Sequence, residues 1–209
     1  MKIGILGSGA VGKALAEGFL KLGYEVKIGT RDESKLNEFT EGKNITAGNF
    51  SDAASFGNLI VLAVKGDVAE KVINLAGREN FSGKIVIDVT NPLKFENEQI
   101  PKLFTAYPDS LGKKIQELLP SAKVVKAFNT VTSAYMCNPK LEEGAPDMFI
   151  VGNDEGKVKV KEIAERWGWN VIDIGAIQQA HLLESLAMIW IRYGFMNNHW
   201  AHAFKLLKK

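Results

Sequence analysis

The 209 residues carry 26 basic against 24 acidic side chains, a formal charge of +2 with no basic block, so nucleic-acid binding is not expected. Apolar residues at 46% can supply a packed core, and a single cysteine, Cys137, excludes an internal disulfide and a cysteine-rich metal site. No leader-like stretch precedes the first apolar run and no such run approaches about 18 residues, so a cytoplasmic chain with no membrane segment is expected.

Lys2–Leu6 is short and apolar enough to be one buried strand, and Gly7-Ser8-Gly9-Ala10-Val11-Gly12 follows it at once. Lys13–Leu22 then reads as a helix, with apolar residues at three- and four-residue spacing. In such a strand–turn–helix, Gly7 permits the tight turn, Gly9 lets the backbone approach a pyrophosphate, and Gly12 lets helix and strand pack closely. The helix N-terminus offers unpaired N–H groups and a partial positive charge to the anion. A dinucleotide is therefore the expected ligand, with Gly7 to Gly12 as its cradle.

The second strand, Tyr24–Gly29, decides which dinucleotide. An NAD-preferring site usually carries Asp or Glu at the end of this strand, about 20 residues beyond the glycines. Here Gly29-Thr30 stands there, with Arg31 next and Lys35 nearby. A hydroxyl, a guanidinium and an amine suit a ribose 2′-phosphate, which implies NADP. Asp32 is expected past the strand end, capping a helix through Lys35, Leu36 and Phe39. The competing reading makes Arg31 and Lys35 solvated surface charges.

The alternation of strand and helix continues. Asn44–Ala47 is expected as a third strand, and Ser51 as the cap of a brief helix over residues 52–56. Asn58–Val64 reads as a strand covered on both faces. Asp67 is expected to cap a helix through Val68, Val72, Ile73 and Leu75. Lys84–Val89 is the next strand, followed by Thr90-Asn91-Pro92, a helix near Leu111–Leu119 and the strand Lys123–Ala127. Asp147–Val151 (strand), Glu155–Trp167 (helix), Trp169–Ile174 (strand) and one long helix, Ala180–Met196, complete the chain. The pattern is a doubly wound Rossmann-type α/β fold with a mostly parallel sheet over residues 1–175. Residues 176–209 form a short helical extension, packed on that domain or on a dimer mate.

Ligands of such sheets bind beyond the carboxyl ends of the strands. That rule selects Gly7–Gly12, Thr30–Lys35, Ala63–Val68 (with Ala63, Val64 and Lys65 at its start) and Thr90–Leu93. Asn91 can hydrogen-bond a carboxamide and Pro92 can stiffen the loop beside a nicotinamide, or the pair merely initiates a turn. Phe128-Asn129-Thr130, after the next strand, can face the ring from the other side. The remainder is too short for the large helical second domain of hydroxyacid and sugar-acid dehydrogenases. Arg192 and Tyr193 stand where those enzymes would want a lysine near Asn197-Asn198. His199 and His202 lie three apart without an acidic or Cys partner nearby, which favours a surface or interface role over a metal site. Leu182, Leu186, Met188, Ile189, Trp190, Phe195 and Trp200 make the C-terminal part apolar beyond what a solvent-facing cap needs. A homodimer interface explains the excess.

Gly7–Gly12, Gly29-Thr30-Arg31, Val124–Thr130, Asp173-Ile174-Gly175 and Leu183-Glu184, in this order and spacing, resemble the NADP oxidoreductases dependent on the deazaflavin coenzyme F420. They are also similar to the cytosolic NADPH-binding domain of six-transmembrane ferric reductases, where the Ala127–Thr130 segment is especially close. The resemblance spans nearly the whole chain. It implies that Thr30, Arg31 and Lys35 bind the 2′-phosphate, that Ala63–Lys65 and Asn91-Pro92 line the nicotinamide side, and that a dimer forms. The chemistry implied is direct hydride transfer between stacked rings, NADPH on one side and F420, FMN or FAD on the other. Such a step needs orientation and exclusion of water but no general acid or nucleophile. No catalytic residue and no metal is therefore named, and Asn129 and Thr130 are expected to position the second ring. The deazaflavin enzymes carry His where this chain has Asn129, which keeps a flavin acceptor open. The alternatives are an NADPH-binding sensor without turnover, or a reductase of a small imine or carbonyl substrate.

Overall fold

The computed structural model describes residues 1–96 and 100–207. The chain starts with β1 (Lys2–Leu6), α1 (Ala10–Lys21), β2 (Glu25–Gly29), a 3-10 turn at Glu33–Leu36, α2 (Asn37–Thr40) and β3 (Ile45–Gly48). There follow α3 (Phe50–Phe56), β4 (Leu59–Leu62), a 3-10 turn at Gly66–Val68, α4 (Ala69–Ala76) and β5 (Ile85–Asp88). After them come β6 (Leu93–Lys94), β7 (Lys102–Leu103), α5 (Leu111–Leu118), β8 (Lys123–Lys126) and β9 (Asp147–Gly152). The final elements are α6 (Asp154–Trp167), β10 (Asn170–Asp173) and α7 (Ala180–Asn197).

Eight strands form one sheet in the order β10-β9-β8-β5-β4-β1-β2-β3. All neighbours are parallel except β8 and β9. β1 sits between β2 and β4, with Ile5 opposite both Ile28 and Val61. The two halves therefore diverge from β1 and β4, which opens a crevice at their carboxyl ends. Alternation along β1 sends Ile3 and Ile5 into one core and Leu6 into the other. The first core is closed by α1 and α6, where Phe19 and Phe128 meet the Trp167 ring edge-on at centroid distances of 4.9 and 5.3 Å. The second is closed by α3, α4, α5 and α7, whose Ala180 and Leu183 are fully buried. The helical extension thus packs on the same body as the sheet. Cys137 lies against α1, and burial pushes its thiol up to about 12, away from the thiolate form. Among the described residues no helix is long and apolar enough to cross a membrane.

The doubly wound fold matches the sequence expectation, with local corrections. Ser51 is not the cap of α3. Asn49 accepts from Asp52 N, and Asp52 Oδ2 accepts from Asn49 N in return, a reciprocal pair that starts the helix at Phe50. Asp67 makes no capping bond; it lies in a 3-10 turn before α4. Asp32 does cap, but onto a 3-10 turn, through Ser34 N. The hairpin of β6 and β7, which pairs Leu93 with Leu103, was not anticipated.

Candidate functional site

The crevice holds two adjoining cavities of about 700 and 570 Å³. Gly9, Ala63, Val64, Lys65 and Asp67 wall both of them, so they form one cleft running across the carboxyl ends of the strands. The three glycines differ in their surroundings. Gly7 has φ +127°, and a Cβ there would collide with the Ala63 carbonyl; a Cβ on Gly12 would collide with the Gly7 carbonyl. A Cβ on Gly9 would meet nothing within 4 Å, because that position opens into the cleft. Gly9 precedes α1 without a side-chain cap, and no acidic residue stands in the first turn. The helix therefore keeps its unpaired amides and partial positive charge at the middle of the cleft.

One end of the cleft is cationic, with Arg31, Lys35 and Lys71 in its wall and the apolar Val68, Val72 and Leu75 beside them. No side chain can stand at Gly29, the last residue of β2. A Cβ on Gly29 would lie 2.9 Å from Ala53 Cβ and 3.0 Å from Phe50 Cα, so α3 occupies the space. Thr30 is buried, and its Oγ1 lies 3.0 Å from Ser8 Oγ and accepts from Asp32 N at 3.3 Å, tying the two loops together. Asp32 is turned to its own loop: Oδ1 accepts from Ser34 Oγ at 2.6 Å and from Ser34 N at 3.2 Å, and Oδ2 lies 3.7 Å from Lys35 Nζ. The Ser34 hydroxyl, aided by the Ser34 amide and Lys35, holds this carboxyl below its ordinary range.

The other end is apolar. Val89, Thr90 and Asn91 form its floor, and Leu93, Phe95 and Phe104 of the hairpin stand over it. Phe95 is 61% and Phe104 41% exposed, an unusual state for two rings facing one cavity. Among the described residues, no group of three or more His, Cys, Asp or Glu side chains could hold a metal.

Behind the floor lies a buried polar layer. Asn91 Nδ2 donates to Asn129 O at 2.7 Å, while Asn129 Nδ2 donates to Asn91 Oδ1 at 3.0 Å and to Leu183 O of α7 at 2.9 Å. Lys126, Asp88 and Glu184 are wholly or almost wholly buried beside them. Lys126 Nζ donates to Asp88 Oδ2 at 2.8 Å and to Thr90 O at 2.7 Å, and lies 3.2 Å from Glu184 Oε1. Burial alone would push the Lys126 ammonium down; the Asp88 and Glu184 carboxylates more than reverse this, leaving its pKa above the ordinary lysine value.

Most of the sequence-selected residues come together in the cleft wall: Gly7, Ser8, Gly9, Ala10 and Val11, then Thr30, Arg31 and Lys35, then Ala63, Val64, Lys65 and Asn91. Gly12 packs behind the loop. Pro92 is buried off the cleft, where its carbonyl accepts from Phe104 N at 2.8 Å and anchors the hairpin. Asn129 and Thr130 are each 5% exposed and are not in the wall, so Asn129 reaches the cleft only through Asn91. Lys71, Phe95 and Phe104 were missed. Lys71 carried a signal, since it follows the predicted strand-end loop by one helical turn; the two phenylalanines carried none.

Residues 2–92 match the family model described as NADP oxidoreductase, coenzyme F420-dependent. The crystal structure of an Arthrobacter sp. FB24 protein, proposed to be an F420-dependent NADP reductase, superposes with a TM-score of 0.92 at 35% identity over 100% of both chains. The F420-dependent NADP reductase of Methanothermobacter thermautotrophicus is 24% identical over 216 aligned residues, covering 94% of this chain and 90% of the relative. Metalloreductase STEAP2 of Homo sapiens is 28% identical over 188 residues, which cover 89% of this chain. The chain spans only 36% of the length of that metalloreductase.

Proposed function

The chain belongs to the family of coenzyme F420-dependent NADP oxidoreductases, and from that premise we propose that it transfers hydride between NADPH and a deazaflavin or flavin ring. The observation that carries this reading is the polarity of one continuous cleft. A cationic end, a bare helix N-terminus and an aromatic-walled apolar end follow one another in the order phosphate, pyrophosphate, ring. Arg31, Lys35 and Thr30 are the proposed 2′-phosphate ligands, with Lys71 added to them. Gly7, Ser8, Gly9, Ala10 and Val11 are proposed to cradle the pyrophosphate, and Gly12 to support that loop from behind. Ala63, Val64, Lys65 and Asn91 are proposed along the nicotinamide side, with Pro92 holding the hairpin behind them. Asn91 keeps one N–H and one carbonyl lone pair beyond its bonds to Asn129.

When bound, NADPH supplies the hydride. The protein's share is to orient and to exclude water, which needs no proton donor, so Lys65, Asp67 and Lys94, which also line this end, are assigned no proton-transfer role. Leu93, Phe95 and Phe104 offer the acceptor ring an apolar bed. A second copy of the chain is the proposed partner of α7. Leu182, Ile189, Tyr193 and Met196 are 48%, 61%, 49% and 68% exposed, and their spacing, with Leu186 between, alternates four and three residues.

The test is anaerobic NADPH oxidation against F420, FMN, FAD and no acceptor. Turnover with a ring acceptor is expected. Saturable NADPH binding with no turnover against any of them would overturn the enzyme reading in favour of a sensor.

A further inference from the structure

We propose that the buried group of Asp88, Lys126 and Glu184, together with Asn129, is a positioning relay by which α7 holds the Thr90–Asn91 floor of the cleft. The proposal rests on the reading that this floor carries the nicotinamide.

The case begins with Thr90, all of whose polar groups are gripped by the ion group. Asp88 Oδ1 accepts from Thr90 N at 2.9 Å and from Thr90 Oγ1 at 2.6 Å, and Thr90 O accepts from Lys126 Nζ. Neither Asp88 nor Lys126 is free to shift. The three N–H bonds of Lys126 are directed at Asp88, Thr90 and Glu184, and Glu184 is fixed in turn by Leu111 N at 3.1 Å and Gly112 N at 2.9 Å, the open amides at the start of α5. Asn91, the next residue of the floor, is held by a second route. Its side chain exchanges two hydrogen bonds with Asn129, and Asn129 Nδ2 ends on Leu183 O, one residue from Glu184. Adjacent residues of α7 thus reach adjacent residues of the floor by independent paths.

Stability does not account for this arrangement. Three buried charges with one net negative are expensive to desolvate, and well-packed apolar residues commonly do as well or better. Asn129 Oδ1 is buried and has no hydrogen-bond partner among the described residues, a further cost of aiming its amide at Asn91 and Leu183. Phe128, immediately before it and two residues past the end of β8, holds φ +60°, a strained value for a non-glycine residue. Costs concentrated behind one wall of a ligand cleft are what a positioning device requires.

The experiment compares the whole chain with a neutral triple variant, Asp88→Asn, Lys126→Met and Glu184→Gln, and with Asn129→Ala, which leaves the ion group intact. Ile163→Val, in the opposite core, serves as a control for general destabilisation. In the cofactor-free protein, Thr90 amide exchange is expected to quicken at least tenfold in the triple variant and not in the control. With NADPH added, both relay variants should retain the dissociation constant within about threefold. The fluorescence lifetime of the bound nicotinamide should fall toward that of free NADPH, and single-turnover hydride transfer to FMN or F420 should slow at least tenfold. Folded variants with unchanged exchange, lifetime and transfer rate would overturn the relay. If exchange quickens while the lifetime holds, the ring does not lie on this floor, and it is the cofactor placement that fails.

Discussion

Replacing Arg31 with Ala tests the cofactor preference. Arg31 is exposed at the mouth of the cationic end, so a 2′-phosphate contact there is a charge-assisted bond open to water. Such bonds contribute about 1.5–3 kcal/mol, and exposure argues for the lower part of that range. At about 1.4 kcal/mol per decade, NADPH affinity should fall roughly 10- to 30-fold. NADH has no 2′-phosphate and should lose only what Arg31 contributes by stacking on the adenine, about twofold to threefold. Lys35 and Lys71 remain in the variant, which is why the loss stops short of abolition.

The assay is a fluorescence titration of both nucleotides against both proteins at two ionic strengths. Screening length shrinks from about 10 Å at 0.1 M to about 3 Å at 1 M salt. The wild-type preference for NADPH should therefore narrow with salt, while that of the variant stays flatter. Equal losses for NADPH and NADH on removing Arg31 would refute the assignment, and Arg31 would then be a surface charge.

Three further outcomes are expected. Gly9→Ala should leave the thermal midpoint within about 2 °C yet weaken NADPH at least tenfold, because its Cβ meets only the open cleft, whereas Gly12→Ala should unfold the chain earlier; equal midpoints in thermal melts would contradict this division of labour. Ile189→Glu with Tyr193→Glu should convert a dimer to a monomer in sedimentation, since the pair lies on the exposed seam of α7; a monomeric parent chain would remove the proposed interface. Phe95→Ala with Phe104→Ala should raise the KM for the ring acceptor about tenfold and leave that for NADPH nearly unchanged, while a KM shift confined to NADPH would place the acceptor elsewhere.

The first third of the chain was legible because its signals are local. Strand, glycine turn and helix follow within Lys2–Lys21, and the Gly29–Arg31 segment needed only the position of one strand end. β9 was legible as a strand but its antiparallel direction was not; between β8 and β9 the chain forms only a 3-10 turn at Ser133–Tyr135 and no crossover helix. The β6–β7 hairpin was hidden for a different reason. Two-residue strands separated by a polar stretch have no period to detect, and their pairing comes from Pro92 O and Phe104 N across the loop. The relay did leave a trace. Asp88 ends the otherwise apolar β5, Lys126 follows two buried valines in β8, and Glu184 falls on the stripe of α7 that also buries Ala180, Leu183 and Ala187. A charge in a buried register must be paired. The sequence does not say with what, because the Asp88–Lys126 partners stand 38 residues apart and meet only when β5 and β8 pair.

This changes where acceptor choice should be sought. The difference between Asn129 and the His of deazaflavin enzymes was the sequence argument for leaving a flavin open, on the premise that the side chain touches the second ring. In the folded chain Asn129 is 5% exposed and faces Asn91 and Leu183, so it has no surface to offer a ring. Its identity can alter how Asn91 is held and hence the angle at which a nicotinamide lies, but not the shape of the acceptor's bed. That shape is proposed to belong to Leu93, Phe95 and Phe104, on the hairpin that Pro92 O anchors through Phe104 N. Two functions that the sequence had joined at Asn129 are therefore separate in space. On the proposed placement of the two rings, the buried layer sets orientation of the donor, where small displacements cost rate, and the exposed hairpin sets which ring is accepted, where contact area decides affinity.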